Sequence, residues 1–359
     1  MAENLNKLFC SRPFTWFEIT SGPNGRGDVY LCCSAWVNGS AGNLLDQSAA
    51  EVWNGEAAQS LRQSILDGSF SQCNASRCPY LQTVTGPVEH ADSVTDARMK
   101  QVIEQGLTEL PWGPQDINCA YDQSCNLACP TCRPARIIEV AGADDFNLIQ
   151  EKLESDVLPD ANSLYITGSG DAFGSPHFNK WLRTMQLDRK SDIHIHLHTN
   201  AQLWTPRMWR QIPDDVKRCI KSAEISIDAA KATTYSVNRR GGDFDRLLEN
   251  LDFIAQLRAD GELHHLKLSM VVQLNNFREM PAFVELGKRF RADTVYFSKL
   301  INWGTFSELV YRLRSVHLPL NKKHQEFLEL LDDPVFDDDV VELGNLSELR
   351  RRGQMSEAI

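Results

Sequence analysis

The chain has 359 residues, 42% hydrophobic and 24% charged, which is ordinary for a globular protein and long enough for about two domains. Its formal net charge of −11, from 37 basic against 48 acidic residues, excludes a general nucleic-acid binder, which needs a basic face to displace counterions. No run of about 18 apolar residues is present, so no transmembrane helix is expected.

The N-terminal residues 1–7 lack the apolar stretch of a signal peptide, so a cytoplasmic setting is expected. There thiols stay reduced, and clustered cysteines read as metal ligands. Ten cysteines are grouped unevenly: five in the first 78 residues, four between 119 and 132, and Cys219 alone. Two separate metal centres explain that grouping better than one.

In chain order, residues 1–85 form a cysteine-rich unit. It holds Cys10, the doublet Cys32-Cys33, then Gly42-Asn43-Leu44, Glu51-Val52-Trp53-Asn54 and Arg62, and finally Cys73 and Cys78. Residues 86–112 read as a linker. Over 113–305, short β-branched runs alternate with amphipathic segments. The predicted strands are Asp116–Asp122, Ser163–Gly168, Asp192–Thr199, Ala223–Asp228, Leu266–Gln273 and Thr294–Leu300. Helices are predicted near 146–157, 178–186, 206–218, 245–259 and 279–290. Residues 306–359 read as a helical, cysteine-free segment whose aspartate runs are solvated surface.

Strand–helix alternation of this kind implies a parallel sheet. The expected fold class is α/β, a partial (β/α)6 TIM-like barrel with a small N-terminal cysteine-rich domain. Such a barrel builds its site at the C-terminal ends of its strands. Polar residues follow each predicted strand: the cysteines after the first, Thr167-Gly168-Ser169-Gly170-Asp171 after the second and Thr199-Asn200-Ala201 after the third. The fourth ends in Ser226-Ile227-Asp228, the fifth near Gln273 and Asn275, and the sixth in Asn302-Trp303-Gly304.

Cys125, Cys129 and Cys132 have the spacing C-x3-C-x2-C. A structural zinc or a complete [4Fe–4S] cluster takes four protein ligands. Three close thiolates without an adjacent fourth suggest a cubane with one iron open to a small molecule. Buried packing, or a zinc site recruiting a distant ligand, is the alternative. His194, His196 and His198 alternate along one strand against Ile193, Ile195 and Leu197, which strand geometry explains without a metal. Cys119 reads as a packed strand cysteine, although its strand position also suits a hydrogen donor near a substrate.

Together, the cysteine triplet, the glycine-acid turn and the six strand–helix units resemble a radical S-adenosylmethionine (SAM) enzyme over roughly residues 113–304. Tyr235-x3-Arg239-Arg240-Gly241-Gly242-x-Phe244, after Ser226-Ile227-Asp228, resembles the fourth strand and following helix of SPASM-type members. Residues 1–85 resemble the SPASM or Twitch auxiliary-cluster module, which in most relatives follows the barrel and here precedes it.

The resemblance implies that Cys125, Cys129 and Cys132 hold a [4Fe–4S] cluster whose fourth iron chelates SAM. Reductive cleavage would yield a 5′-deoxyadenosyl radical that abstracts hydrogen from a substrate. The resemblance further implies SAM contacts at Gly168, Gly170 and Asp171, the last toward the methionine ammonium. Ser226 and Arg239 would meet the methionine carboxylate, with Arg240 an adjacent alternative. Thr131 stands where relatives usually carry an aromatic residue, which leaves the adenine stacking open.

An auxiliary [4Fe–4S] cluster is implied on Cys10, Cys33, Cys73 and Cys78, with Cys32 an alternative to Cys33 and structural zinc an alternative metal. The implied reaction is oxidation or cross-linking of a peptide or protein side chain. A small polar metabolite, such as a sugar or aminoglycoside-like alcohol, is the second substrate reading. A non-catalytic zinc-binding regulatory protein is the third. The expected partners are the peptide or small-molecule substrate and a flavodoxin- or ferredoxin-like electron donor, with no nucleic acid and no membrane.

Overall fold

All six predicted strands form, each within three residues of its expected ends. The computed structural model describes residues 7–22, 25–139, 143–167, 169–187 and 192–350. The chain is a mixed α/β protein made of two compact units. The first is residues 1–123, 139–169 and 192–195; the second is 124–138, 170–191 and 196–359.

The first unit carries β1 (Leu8–Cys10), β2 (Trp16–Gly22), β3 (Gly25–Tyr30), β4 (Gly42–Asn43), β5 (Val88–His90), β6 (Asp116–Ala120) and β7 (Ser163–Ile166). Its main strand order is β4-β3-β2-β6-β7. The β2–β6 and β6–β7 pairs are parallel, whereas β2–β3 and β3–β4 are antiparallel. Period-2 alternation buries Ile117 and Cys119 completely and leaves Asp116 and Asn118 half-buried on the other face.

The stretch expected as a linker is structured. β5 pairs with β1, and a helix spans Ala97–Gln105, capped by the Asp96 carboxylate accepting from Met99 N–H. Gly106, at φ 64°, ends that helix in the left-handed conformation glycine adopts without strain. With only Met99 and Val102 buried, the helix is too sparsely apolar to betray itself by periodicity.

The second unit carries β8 (His194–Thr199) from His196 onward, β9 (Ile220–Ser226), β10 (His265–Val272), β11 (Thr294–Lys299) and β12 (Val341–Glu342), in that order across the sheet. The β9–β10, β10–β11 and β11–β12 pairs are all parallel. The tail expected to be helical does hold helices Glu308–Arg314 and His324–Leu331, but it also supplies β12. Two residues are too few to show strand alternation.

One face of this sheet is apolar: Leu197, Ala223, Ile225, Leu266, Leu268, Met270, Val295 and Phe297 are buried. Helix Phe244–Ala259 contributes Leu247, Leu251 and Ile254 to the core, and helix Met280–Arg289 sets Phe283 against Phe297 at 5.8 Å between ring centroids. Each such side chain stabilises the fold by roughly 1.5–3 kcal/mol. The helix predicted over 206–218 splits into Pro206–Trp209 and Asp214–Cys219, because Pro213 between them lacks the N–H that continuation needs.

The opposite face is polar. His196, His198, Ser222, Glu224, Ser226, Lys267, Ser269 and Tyr296 lie on it, nearly all half-buried. A parallel sheet covered on both sides is apolar on both, so this face is not built as core. Among the described residues no strand pairing closes a barrel.

Candidate functional site

The cysteine loop follows β6 and lies wholly in the second unit. It is pinned at one end by Cys125 N–H donating to Ile137 O (2.8 Å). At the other, Cys132 and Arg133 N–H both donate to Cys129 O at 2.9 Å, a tight turn that brings the second and third cysteines together. Arg240 clamps the loop from outside, donating from Nε to Ala128 O (3.1 Å) and from Nη2 to Pro134 O (2.6 Å). Its own carbonyl accepts from Ala128 N–H at 3.0 Å.

Each sulfur receives N–H donors. Cys125 Sγ accepts from Leu127 N–H at 3.4 Å and Asn200 Nδ2 at 3.6 Å. Cys129 Sγ accepts from Arg239 Nη1 at 3.7 Å, and Cys132 Sγ from both Nε and Nη2 of Arg133 at 3.3 Å. Burial pushes the Cys125 thiol up to about 12, with the Asp171 charge adding to the effect and the Leu127 N–H opposing it. Burial also raises Cys129, partly offset by Arg239. Burial thus disfavours the thiolates of Cys125 and Cys129, the form in which cysteine ligates a metal.

Asp171 is 1% exposed and ties its own turn to the end of β8. Oδ1 accepts from Phe173 and Gly174 N–H (3.0 and 2.7 Å), and Oδ2 from Thr199 Oγ1 and Asn200 N–H (2.9 and 2.7 Å). Asn200 thus joins Asp171 to Cys125. Gly174 is required by space: a Cβ there would meet Asn126 Oδ1 at 2.6 Å and Asn126 N at 3.0 Å.

Arg239 is brought to Cys129 and to Asp228, whose Oδ2 lies 2.9 Å from Nη2. Ser226 Oγ meets His198 Nε2 at 2.8 Å, and His196 Nδ1 meets Ser222 Oγ at 2.6 Å, so these histidines are partnered by serines. Gly170 lies half-buried in the turn before Asp171, and Gly168 falls outside the described residues. Sequence reasoning passed over Arg133, whose signal was its place next to Cys132; Asn200 and Asp228 stood out only as polar residues at strand ends, with no role assigned.

In the first unit the five N-terminal thiols are electrostatic neighbours. Burial, first, and then Cys73 and Cys78 raise Cys10 to about 12; burial and then Cys32 and Cys78 raise Cys73 to about 12. Cys33 is raised to about 11, chiefly by burial, and Cys32 also moves up.

Around these thiols, Asn43 closes the glycine-asparagine turn by accepting from Leu45 N–H and donating to Asp28 Oδ1. Arg62, fully buried, donates to Pro13 O, Asn54 Oδ1 and Thr108 O and lies 4.3 Å from the Trp53 ring. Burial lowers its guanidinium to about 9. Cys119 is fully buried within β6, and burial raises its thiol strongly.

Among the described residues, no three His, Cys, Asp or Glu side chains already converge as a closed metal site. The donor chemistry nevertheless fits iron–sulfur ligation in both places. The acceptors are soft sulfurs, and the neighbours of the Cys125 loop are N–H donors suited to thiolate and sulfide.

Residues 10–79 match SPASM, an iron-sulfur cluster-binding domain. The matched span contains Cys10, Cys32, Cys33, Cys73 and Cys78, so an iron–sulfur cluster is a cofactor of this chain. Among curated proteins none matches. Several solved structures are distantly similar. Streptococcus suis SuiB bound to S-adenosylmethionine is 14% identical, with a TM-score of 0.42, over 86% of this chain and 67% of that one. anSMEcpe with bound AdoMet and Kp18Cys peptide is 16% identical, TM-score 0.38, over 60% and 57% of the two chains. TYW1 with a lysine-pyruvate adduct is 14% identical, TM-score 0.36, over 58% and 70%. Likeness this slight identifies neither a family nor a reaction. Among the described residues no helix is long and apolar enough to cross a membrane.

Proposed function

We propose that this chain is a radical SAM enzyme in which residues 113–305 form a partial (β/α)6 barrel and residues 1–85 an auxiliary-cluster module preceding it. The observation that carries this reading is the Cys125–Cys132 loop, whose three sulfurs each receive N–H donors from Asn200, Arg239 or Arg133. Cys125, Cys129 and Cys132 would hold a [4Fe–4S] cluster, and Cys10, Cys33, Cys73 and Cys78 a second one. Bound at the first cluster's open iron, SAM supplies, on reduction, a carbon radical able to take hydrogen from an unactivated C–H bond.

The chain's own residues position and shield that chemistry. Asp171 orders the turn that carries Gly170 and, through Asn200, steadies Cys125. Ser226 ends β9, and Arg239 follows the helix Ala232–Asn238 beyond it; these two would meet the methionine carboxylate. The polar sheet face, with Glu224 3.4 Å from Lys267 Nζ and His198 bonded to Ser226, suits a polar substrate rather than packing. The substrate class is read from the resemblance: a peptide or protein side chain, oxidised or cross-linked, with electrons from a flavodoxin- or ferredoxin-like donor.

Anaerobic reconstitution with iron and sulfide, followed by dithionite and SAM, tests the reading. Wild type is expected to form 5′-deoxyadenosine. The Cys125→Ala/Cys129→Ala/Cys132→Ala variant is expected to form none, while retaining about four irons on the N-terminal module. A colourless, zinc-loaded wild type, or SAM cleavage persisting in the triple variant, overturns the assignment. Deuterium transfer into 5′-deoxyadenosine from candidate peptides and polyols then separates the two substrate classes.

A further inference from the structure

Asp228 is 1% exposed and adopts φ +61°, a left-handed conformation uncommon outside glycine, though aspartate and asparagine enter it more readily than other residues. The conformation is held from several sides. Asn238 Nδ2 and Asn276 Nδ2 both donate to Asp228 O at 2.9 Å, and Val271 N–H donates to Oδ1 at 2.7 Å. What the conformation secures is Oδ2, 2.9 Å from Arg239 Nη2. The same guanidinium turns Nη1 toward Cys129 Sγ at 3.7 Å.

We propose that Asp228 is a positioning residue that aims Arg239 at the Cys129 sulfur and neutralises it there, keeping the reduction potential of the loop cluster low. The proposal rests on the reading of Cys129 as a cluster ligand. An N–H donor to a ligand sulfur stabilises the reduced, more negative cluster, and an unbalanced cation beside it does so further. A guanidinium paired with a carboxylate delivers the hydrogen bond with little net charge. This differs from a plain methionine-carboxylate ligand role for Arg239, because Asp228 already occupies one of its two terminal nitrogens.

The test is an anaerobic redox titration of reconstituted protein without SAM, followed by EPR of the cluster that the Cys125/Cys129/Cys132 triple variant lacks. Asp228→Asn is expected to raise the reduced-to-oxidised ratio at fixed poise by about tenfold, equivalent to ~59 mV for one electron. Arg239→Met is expected to lower the ratio, and on that background Asp228→Asn should raise it clearly less than in the wild type, because only the direct effect of the carboxylate charge on Cys129 remains. Asp228→Glu should restore the wild-type value.

An Asp228→Asn shift that is absent, or equally large with and without Arg239, overturns the proposal. Should Asp228→Asn not fold, Arg239→Lys, which keeps the charge but withdraws a donor, must still lower the ratio; an unchanged value overturns it too. Failure of the cluster reading shows itself separately, as wild-type protein with no EPR signal assignable to the loop, and also ends the proposal.

Discussion

At the scale of single residues, burial decides which groups matter. His317 has its Nδ1 buried without a hydrogen-bond partner. Burial, followed by Lys299 and His324, lowers its imidazole to about 4. In the unfolded chain a histidine takes up its proton near pH 6.5, whereas here it does so only near 4. Between those values the unfolded state binds more protons, so stability is fully present above pH 6.5 and falls as the pH drops toward 4. Urea unfolding at pH 7 and pH 4.5 should show His317→Asn losing about 1–2 kcal/mol less than wild type over that interval, after discounting for its partial exposure. Equal losses would show that His317 does not drive the acid sensitivity.

At the scale of elements, the strands and larger helices of residues 113–305 were legible because their apolar residues recur within two to four positions, the range over which backbone geometry repeats, whereas β1–β5 were not read. The broken helix over 206–218 was legible too, had Pro213 been given its full weight. What periodicity does not reach is the packing of one loop on another. Gly174 looks like any turn glycine in sequence, yet it lies against the Asn126 backbone beside Cys125. Gly174→Ala is expected to displace residues 125–127, cost about 1–3 kcal/mol in denaturant unfolding and reduce iron loading at the loop. Unchanged stability and loading would mean that the loop shifts freely.

The site is mixed in the same way. The cysteines announce themselves by spacing, and Arg239 by its place in a recognisable segment. Asp171 stood out as an acid after glycines; among the described residues its carboxylate accepts two bonds from its own turn and two from Thr199 and Asn200, so it ties the turn to the end of β8. Asn200 and Asp228 stood out only as polar residues at predicted strand ends, and an asparagine or aspartate there is ordinary loop chemistry that assigns no role.

At the scale of the whole molecule, eight of the ten cysteines resolve into two neighbourhoods, one in each unit, and Cys119 and Cys219 are buried apart from them. If the centres are independent, Cys10→Ala/Cys73→Ala/Cys78→Ala should remove the N-terminal iron and leave the loop cluster's EPR signal in place. Coordinate loss of both clusters would show that they assemble together.

By itself the sequence determined the six strands and most helices of residues 113–305, the sulfur spacing and the separation of the thiols into two groups, because all of these are local: period, propensity and covalent order. Tertiary structure alone decided which nitrogen meets which sulfur. Asn200 reaches Cys125 across 75 positions of chain and Arg239 reaches Cys129 across 110. It alone also placed β2 parallel to β6 in the first unit, set Asp228 to hold Arg239, and filled Asp171 with four donors. Those outcomes turn on which desolvated polar group finds a partner after the chain has packed, and no window of neighbouring residues contains that information.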